Sequence, residues 1–197
     1  MDFFAVAMHA VKLAPELLGE DVAIIGSGPV GLAIAQIVRL FGAKQVYCVD
    51  IYDLALQIAQ KVGADGIVNA TKADPVEFIK EVTGGNGVRA VFDLVGLTAT
   101  QKQGLKMLGC SGTLVNLVAN NNEVDYQLLE LSGERSIRCS ANNPFKDFLT
   151  TLRLMEAGRI DAKPLITHKF RLDQVKEAFE LLWNKQKTNA MKVILYP

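Results

Sequence analysis

The feature that most constrains this chain is a change of hydrophobic period that repeats from residue 22 onward. Short apolar, β-branched runs alternate with segments whose apolar residues recur at helical spacing. A period of two followed by a period near 3.6 is the pattern of βαβ units, in which a crossover helix returns the chain to the same end of a parallel sheet. The runs predict strands over 22–25, 45–49, 66–69, 90–95, 113–118 and 136–140. Between them the spacing predicts helices over 29–41, 53–62, 74–82 and 98–108, with a short one near 126–131. Local signals agree. Gly63 stands where the second helix should stop, and Asp74 followed by Pro75 pairs a capping side chain with a residue suited to the first helical position.

Parallel strands need cover on both faces. The expected fold class is therefore α/β, a doubly wound Rossmann sheet of six parallel strands with helices on both faces. Beyond Pro144 the pattern changes to a helix over 144–157 with Gly158 as its stop, an extended piece led by Pro164, a helix over 173–184 and a terminal strand over 191–196. These make a C-terminal helix–strand appendage. The expected organisation is a linking helical segment over 1–20, a dinucleotide-binding domain over 21–160 and a tail over 161–197.

The turn after the first strand reads Gly26, Ser27, Gly28, Pro29, Val30, Gly31, a G-x-G-x-x-G between a strand and a helix. The first glycine permits the tight turn, the second lets backbone approach a pyrophosphate, and the third lets the helix pack close to the sheet. Unpaired N–H groups at the helix start then face the phosphates. Asp50 closes the second strand, 22 residues beyond Gly28, where an acid can accept hydrogen bonds from adenosine ribose hydroxyls. A carboxylate there repels a 2′-phosphate, and no arginine follows in the Asp-Ile-Tyr-Asp-Leu run to offset it, so NAD is expected over NADP. A methyltransferase would also carry a glycine-rich first turn and an acid after the second strand, and it stays as an alternative.

Charge excludes other partners. The chain has 21 basic and 21 acidic residues in 197, without a basic cluster to attract nucleic acid or an anionic membrane. Its longest apolar stretch, 22–38, is interrupted by Gly26, Gly28, Pro29 and Gly31 and is shorter than the roughly 20 residues a spanning helix needs. The start, MDFFAVAMHA, lacks the basic region of a secretory signal. Cys48, Cys110 and Cys139 lie far apart in apolar surroundings, which predicts buried free thiols in a reducing cytoplasm.

Four segments carry a resemblance: DFFAVAMHAV, GSGPVGLAIAQIVRLFGAKQVYCVD, VFDLVG, and GRIDAKPLITHKFRLDQVKEAFELL followed by MKVILYP. Through them the chain resembles the medium-chain dehydrogenase/reductase family, specifically the C-terminal, cofactor-binding part of its zinc-type polyol, threonine and alcohol dehydrogenases. The resemblance implies hydride transfer between nicotinamide and an alcohol carbon, with a zinc ion polarising the oxygen. It places Gly26, Gly28 and Gly31 at the pyrophosphate, Asp50 with Ile51 at the ribose, and Val95, Gly96 and Leu117 along the cofactor. Lys192 takes the place of a basic residue near the pyrophosphate, the alternative being a solvated lysine beside a terminal strand. Ala55 occupies a place that is commonly basic in the family, and Val118 stands where a glycine often admits nicotinamide.

Asp2 matches an acid near the family's zinc, but the other ligands belong to a catalytic domain without counterpart in this sequence, and one carboxylate cannot hold zinc. No catalytic residue and no metal site is therefore expected here, and the chain alone is expected to be inactive. His9 and His168 are read as packed, hydrogen-bonded histidines. The edge from Ser136 to Ala141 resembles the one through which family members dimerise by sheet extension, so a homodimer is an expected partner state. A non-catalytic dinucleotide-binding or association protein is the competing reading.

Overall fold

The computed structural model describes residues 2–197, the side chain of Gln186 excepted. In chain order the elements are α1 (Asp2–Leu13), β1 (Asp21–Ile25), α2 (Pro29–Leu40), β2 (Gln45–Asp50), α3 (Asp53–Lys61), β3 (Gly66–Asn69), α4 (Pro75–Val82), β4 (Val88–Asp93), α5 (Thr98–Met107), β5 (Leu108–Asn116), β6 (Ser136–Cys139), α6 (Phe145–Glu156), β7 (Ile166–Arg171), α7 (Val175–Trp183), α8 (Lys185–Thr188) and β8 (Lys192–Tyr196). The first six strands form one sheet in the order β3-β2-β1-β4-β5-β6, with every neighbouring pair parallel. This is the expected doubly wound Rossmann sheet.

The two-sided burial follows from alternation along each strand. Val22 and Ile24 of β1, Val46 and Cys48 of β2, and Ala90 and Phe92 of β4 join one core with α1, α2 and α3. Their neighbours Ala23, Ile25, Tyr47, Val49 and Val91 point the other way, into a second core beneath α4 and α5. Strands buried on both faces must read as nearly continuous apolar runs, as these do. Asp74 caps α4 by accepting hydrogen bonds from the Val76 and Glu77 N–H groups, as its sequence position predicts.

Several boundaries differ from expectation for local reasons. The fourth strand stops at Asp93 because that carboxylate accepts hydrogen bonds from the N–H groups of Val95 and Gly96 at 2.8 and 3.1 Å, which turns the chain. The fifth begins at Leu108 and ends at Asn116, opposite Asp93, leaving Leu117 and Val118 beyond the sheet. Helical geometry near 126–131 is confined to a 3-10 turn, Leu128–Leu131. Tyr126 lies outside it, packed against the second core. The segment over 173–184 is divided into a 3-10 turn, Leu172–Gln174, and α7.

Cysteine burial is a clearer correction. Cys48 is buried, but Cys110 and Cys139 are exposed. An apolar neighbourhood in sequence does not bury a thiol on the outermost strand, where Cys139 sits, or beside the left-handed turn at Ser111 that adjoins Cys110. Among the described residues no helix is long and apolar enough to cross a membrane.

The tail forms a two-stranded parallel sheet of β7 and β8. It is tied to the first core through Leu165, which is fully buried, and through Met191. Its helix α7 leaves Phe179 64% and Trp183 86% exposed. At the opposite end α1 packs against α6, where buried Asp147 accepts from Lys12 and lies 3.4 Å from His9 Nδ1. Half-buried His9 is thus packed and polar-paired, and the His168 ring nitrogen lies 2.9 Å from the Thr167 hydroxyl.

Candidate cofactor site

The strand order reverses direction between β1 and β4, so the loops leaving their C-terminal ends diverge and open a crevice. A cleft of about 930 Å³ lies there. One wall is the glycine turn, with Gly26, Gly28, Pro29 and Val30. The second is the end of β2 and the start of α3, from Asp50 to Ala55. Leu94 and Val95 close the β4 side, and the tail supplies Lys185, Asn189, Ala190 and Met191.

Two of the three glycines of the turn are required by the backbone, and the third leaves open space. Gly26 sits at φ +97°, a conformation that L side chains rarely adopt. At Gly31 a Cβ would collide with the Gly26 carbonyl oxygen, so only glycine lets α2 start this close to the turn. At Gly28 a Cβ would meet nothing within 4 Å. Space is thus kept free beside Gly28, at the N-terminus of a 12-residue helix, where unpaired N–H groups can receive an anion.

Asp50 is held in place by backbone. One carboxylate oxygen accepts from the Ser27 N–H at 2.6 Å and the other from the N–H groups of Ile51 and Tyr52 at 2.7 and 3.0 Å. Three hydrogen bonds use three of roughly four lone-pair directions, leaving the oxygen bound to Ser27 able to accept one more donor. Ser27 itself is fully buried, with its hydroxyl donating to the Val49 carbonyl at 3.3 Å. Asp53 is engaged on the outer side, accepting from Lys72 at 2.7 and 2.9 Å and from Asn69 at 2.7 Å. The Lys72 ammonium, with help from Asn69, holds the Asp53 carboxyl below the usual carboxylate range.

The remaining expected residues are scattered. Ile51 and Val95 line the cleft. Gly96 lines a second cavity of about 480 Å³ near the ends of β5 and β6. There its carbonyl accepts from Asn120 and Asn122 at 2.8 and 2.9 Å, and a Cβ would approach Val118 within 2.6 Å. Leu117 packs partly buried against the first core and is not on the cleft wall. The Lys192 ammonium stands 5.2 Å from the centre of the Phe3 ring, so the structure places it on α1 and outside the cleft lining.

Sequence reasoning missed Lys185. It comes from a short polar helix 130 or more residues beyond the acid wall, and no local pattern marks it. Only the packing of the tail brings its ammonium 5.2 Å from the centre of the Tyr52 ring.

A zinc site does not fit these residues. Among the described residues no three of His, Cys, Asp and Glu come together as a ligand set, whereas a catalytic zinc takes about three protein ligands. Buried Asp147, paired with half-buried His9, has the Lys12 ammonium against the same carboxylate, which would repel a cation.

Fold and cleft together define a Rossmann-type nucleotide-binding unit of the dehydrogenase kind. The chain belongs to the zinc-binding dehydrogenase family, whose sequence model matches residues 29–157, and corresponds to the C-terminal part of the medium-chain zinc-type enzymes. It is 31% identical over 200 residues to an alcohol dehydrogenase of Cupriavidus necator, covering 100% of this chain and 54% of that protein. It superposes on the crystal structure of 2R,3R-butanediol dehydrogenase from Bacillus subtilis with a TM-score of 0.90 at 27% identity, covering 100% of this chain and 56% of that one. A protein from Sinorhizobium meliloti 1021, described as a zinc-binding dehydrogenase and bound to NADP, gives a TM-score of 0.89 at 27% identity, with 100% and 58% coverage. The chain spans about half the length of the curated relatives it matches.

Proposed function

We propose that this chain is the nicotinamide-dinucleotide-binding part of an alcohol- or polyol-type oxidoreductase, with NAD preferred over NADP. The observation that carries the reading is the pairing, across one cleft, of the open space at Gly28 with a carboxylate pinned by three backbone N–H groups at Asp50. A bound nicotinamide dinucleotide would supply hydride acceptor and donor chemistry. The protein's own part is to bind and orient. N–H groups at the start of α2 receive the pyrophosphate, Asp50 accepts from the adenosine ribose, and Val95 bounds the path towards nicotinamide. Activation of an alcohol oxygen has no candidate group among the described residues, so the chain by itself is expected to bind cofactor without turnover.

The exposed apolar residues of α7 support the reading that the segment over 161–197 is the end of a catalytic domain, since an apolar helix face of this kind calls for a partner surface. Self-association is favoured by a different observation. Strand β6 lies at the sheet edge, and Leu128 and Leu129, in the 3-10 turn that precedes it in the chain, are 89% and 77% exposed. An unpaired edge with apolar neighbours invites a second copy to extend the sheet, and sedimentation velocity of wild type against Leu128→Glu would show whether the dimer exists. A cytoplasmic location belongs to the same reading and is supported by three unpaired thiols, which a reducing compartment maintains.

Calorimetric titration with NADH and NADPH tests the cofactor reading. NADH should bind saturably and more tightly than NADPH, and Asp50→Asn should narrow the difference. No binding of either would sink the cofactor reading and leave association as the function.

A further inference from the structure

The cleft has an asymmetric charge distribution that the glycine turn and Asp50 do not explain. Of the described residues lining it, Asp50 and Asp53 are acidic and Lys185 alone is basic. Asp53 is already neutralised from outside by Lys72, bonded at 2.7 Å. Asp50 is satisfied by N–H groups that carry no net charge. Among the described lining residues the one basic side chain is therefore Lys185, whose ammonium lies over the face of Tyr52, two residues beyond Asp50. It therefore sits on the side of the cleft formed by the end of β2 and the start of α3.

We propose that Lys185, delivered by the C-terminal segment, is the residue that decides how severely this cleft rejects a 2′-phosphate on the adenosine ribose. The proposal rests on the dinucleotide reading given above and adds a specificity element to it. A carboxylate at Asp50 disfavours a phosphate on the adjacent ribose oxygen, and a compact ammonium on a four-carbon stem can swing from the Tyr52 ring to meet that phosphate. The contact with Tyr52 is a weak cation–π attraction at an exposed site, which a charge-assisted hydrogen bond to phosphate outcompetes. With unphosphorylated ribose the same lysine meets only hydroxyl groups and adds little. Lys185 thus offsets part of the Asp50 penalty for NADP selectively, and the preference for NAD becomes a balance between one residue of the sheet and one of the tail.

The test measures NADH and NADPH dissociation constants at fixed low ionic strength for wild type, Lys185→Gln, Lys185→Arg and the neighbouring control Lys187→Gln. Lys185→Gln should weaken NADPH about fivefold or more while changing NADH less than twofold. Lys185→Arg and Lys187→Gln should resemble wild type. Competition by 2′,5′-ADP against 5′-ADP on the wild-type chain reads the same contact without any substitution: added salt should weaken 2′,5′-ADP more steeply. Equal effects of Lys185→Gln on both dinucleotides, no effect on either, or identical salt dependence of the two fragments would overturn the proposal while leaving the dinucleotide reading intact. Wild-type chain that binds neither NADH nor NADPH would overturn both.

Discussion

Gly28→Ala and Gly31→Ala are the same chemical change three residues apart, yet the structure assigns them opposite consequences. At Gly28 the backbone has φ −70° and ψ −174°, which alanine adopts without strain, and its Cβ would meet nothing within 4 Å. Two folding effects oppose each other there. Alanine restricts the unfolded chain, stabilising by about 0.4–1 kcal/mol, but is a poorer helix N-cap than glycine by up to about 1 kcal/mol. The net lies within about 1 kcal/mol of zero, which for a chain of this size moves the melting midpoint by about 4 °C at most. The methyl group instead enters the cleft, so the loss falls on the ligand: a rise of about tenfold or more in the NADH dissociation constant, equivalent to about 1.4 kcal/mol.

At Gly31 the added Cβ would strike the Gly26 carbonyl oxygen and come within 3.3 Å of Ile24 Cγ2. That oxygen is backbone in a turn set by Gly26, so α2 must shift. Overpacking of this kind costs about 1–3 kcal/mol, or about 2–12 °C. Thermal melts by circular dichroism and NADH titrations on both variants give the comparison. If Gly28→Ala bound NADH as wild type does, the assignment of that open space to a cofactor would be refuted, and if Gly31→Ala melted at the wild-type midpoint, the collision at the Gly26 carbonyl would be.

Other expectations follow from single contacts. Asp50→Ala leaves the N–H of fully buried Ser27 without its carboxylate acceptor, a loss of about 1–3 kcal/mol. Asp50→Asn keeps an acceptor oxygen and should melt between it and wild type, so melting of Asp50→Ala at the wild-type midpoint would show that the carboxylate does not hold the turn. Maleimide should label Cys110 and Cys139 in the folded chain and reach Cys48 only after unfolding, because Cys48 alone is buried. Labelling of all three at one rate contradicts the packing around β2. Burial pushes the Cys48 thiol from 9.0 up to about 12, so the folded state keeps its proton where the unfolded chain has lost it. Stability from this site is fully present below about pH 9 and declines as pH rises towards 12. Cys48→Ala should flatten that alkaline decline relative to wild type in melts recorded from pH 8 upward.

The glycine turn and Asp50 were legible because their requirements are local. A tight strand-to-helix turn needs glycine wherever it occurs, and an acid at the end of the second strand lands beside that turn in any sheet with this strand order. Local turn chemistry also explains the small errors: the Asp93 side chain ends β4 two residues early by capturing the N–H groups of Val95 and Gly96. Lys192 and Lys185 show the opposite situation. Lys185 is exposed on the short polar helix α8 whereas half-buried Lys192 heads β8, and the family resemblance pointed to Lys192, which the structure places over Phe3.

The amino-acid sequence by itself determined the order of strands and helices, the two-sided burial of the sheet and the shape of the glycine turn. These depend on periodicity, glycine geometry and residues close together in the chain. Tertiary structure alone decided which lysine lines the cleft beside Tyr52, which thiols face solvent, and that Leu117 and Gly96 stand off the cleft wall. Each of those depends on how segments far apart in sequence pack, and a side chain's exposure is set by the neighbour that arrives or fails to arrive.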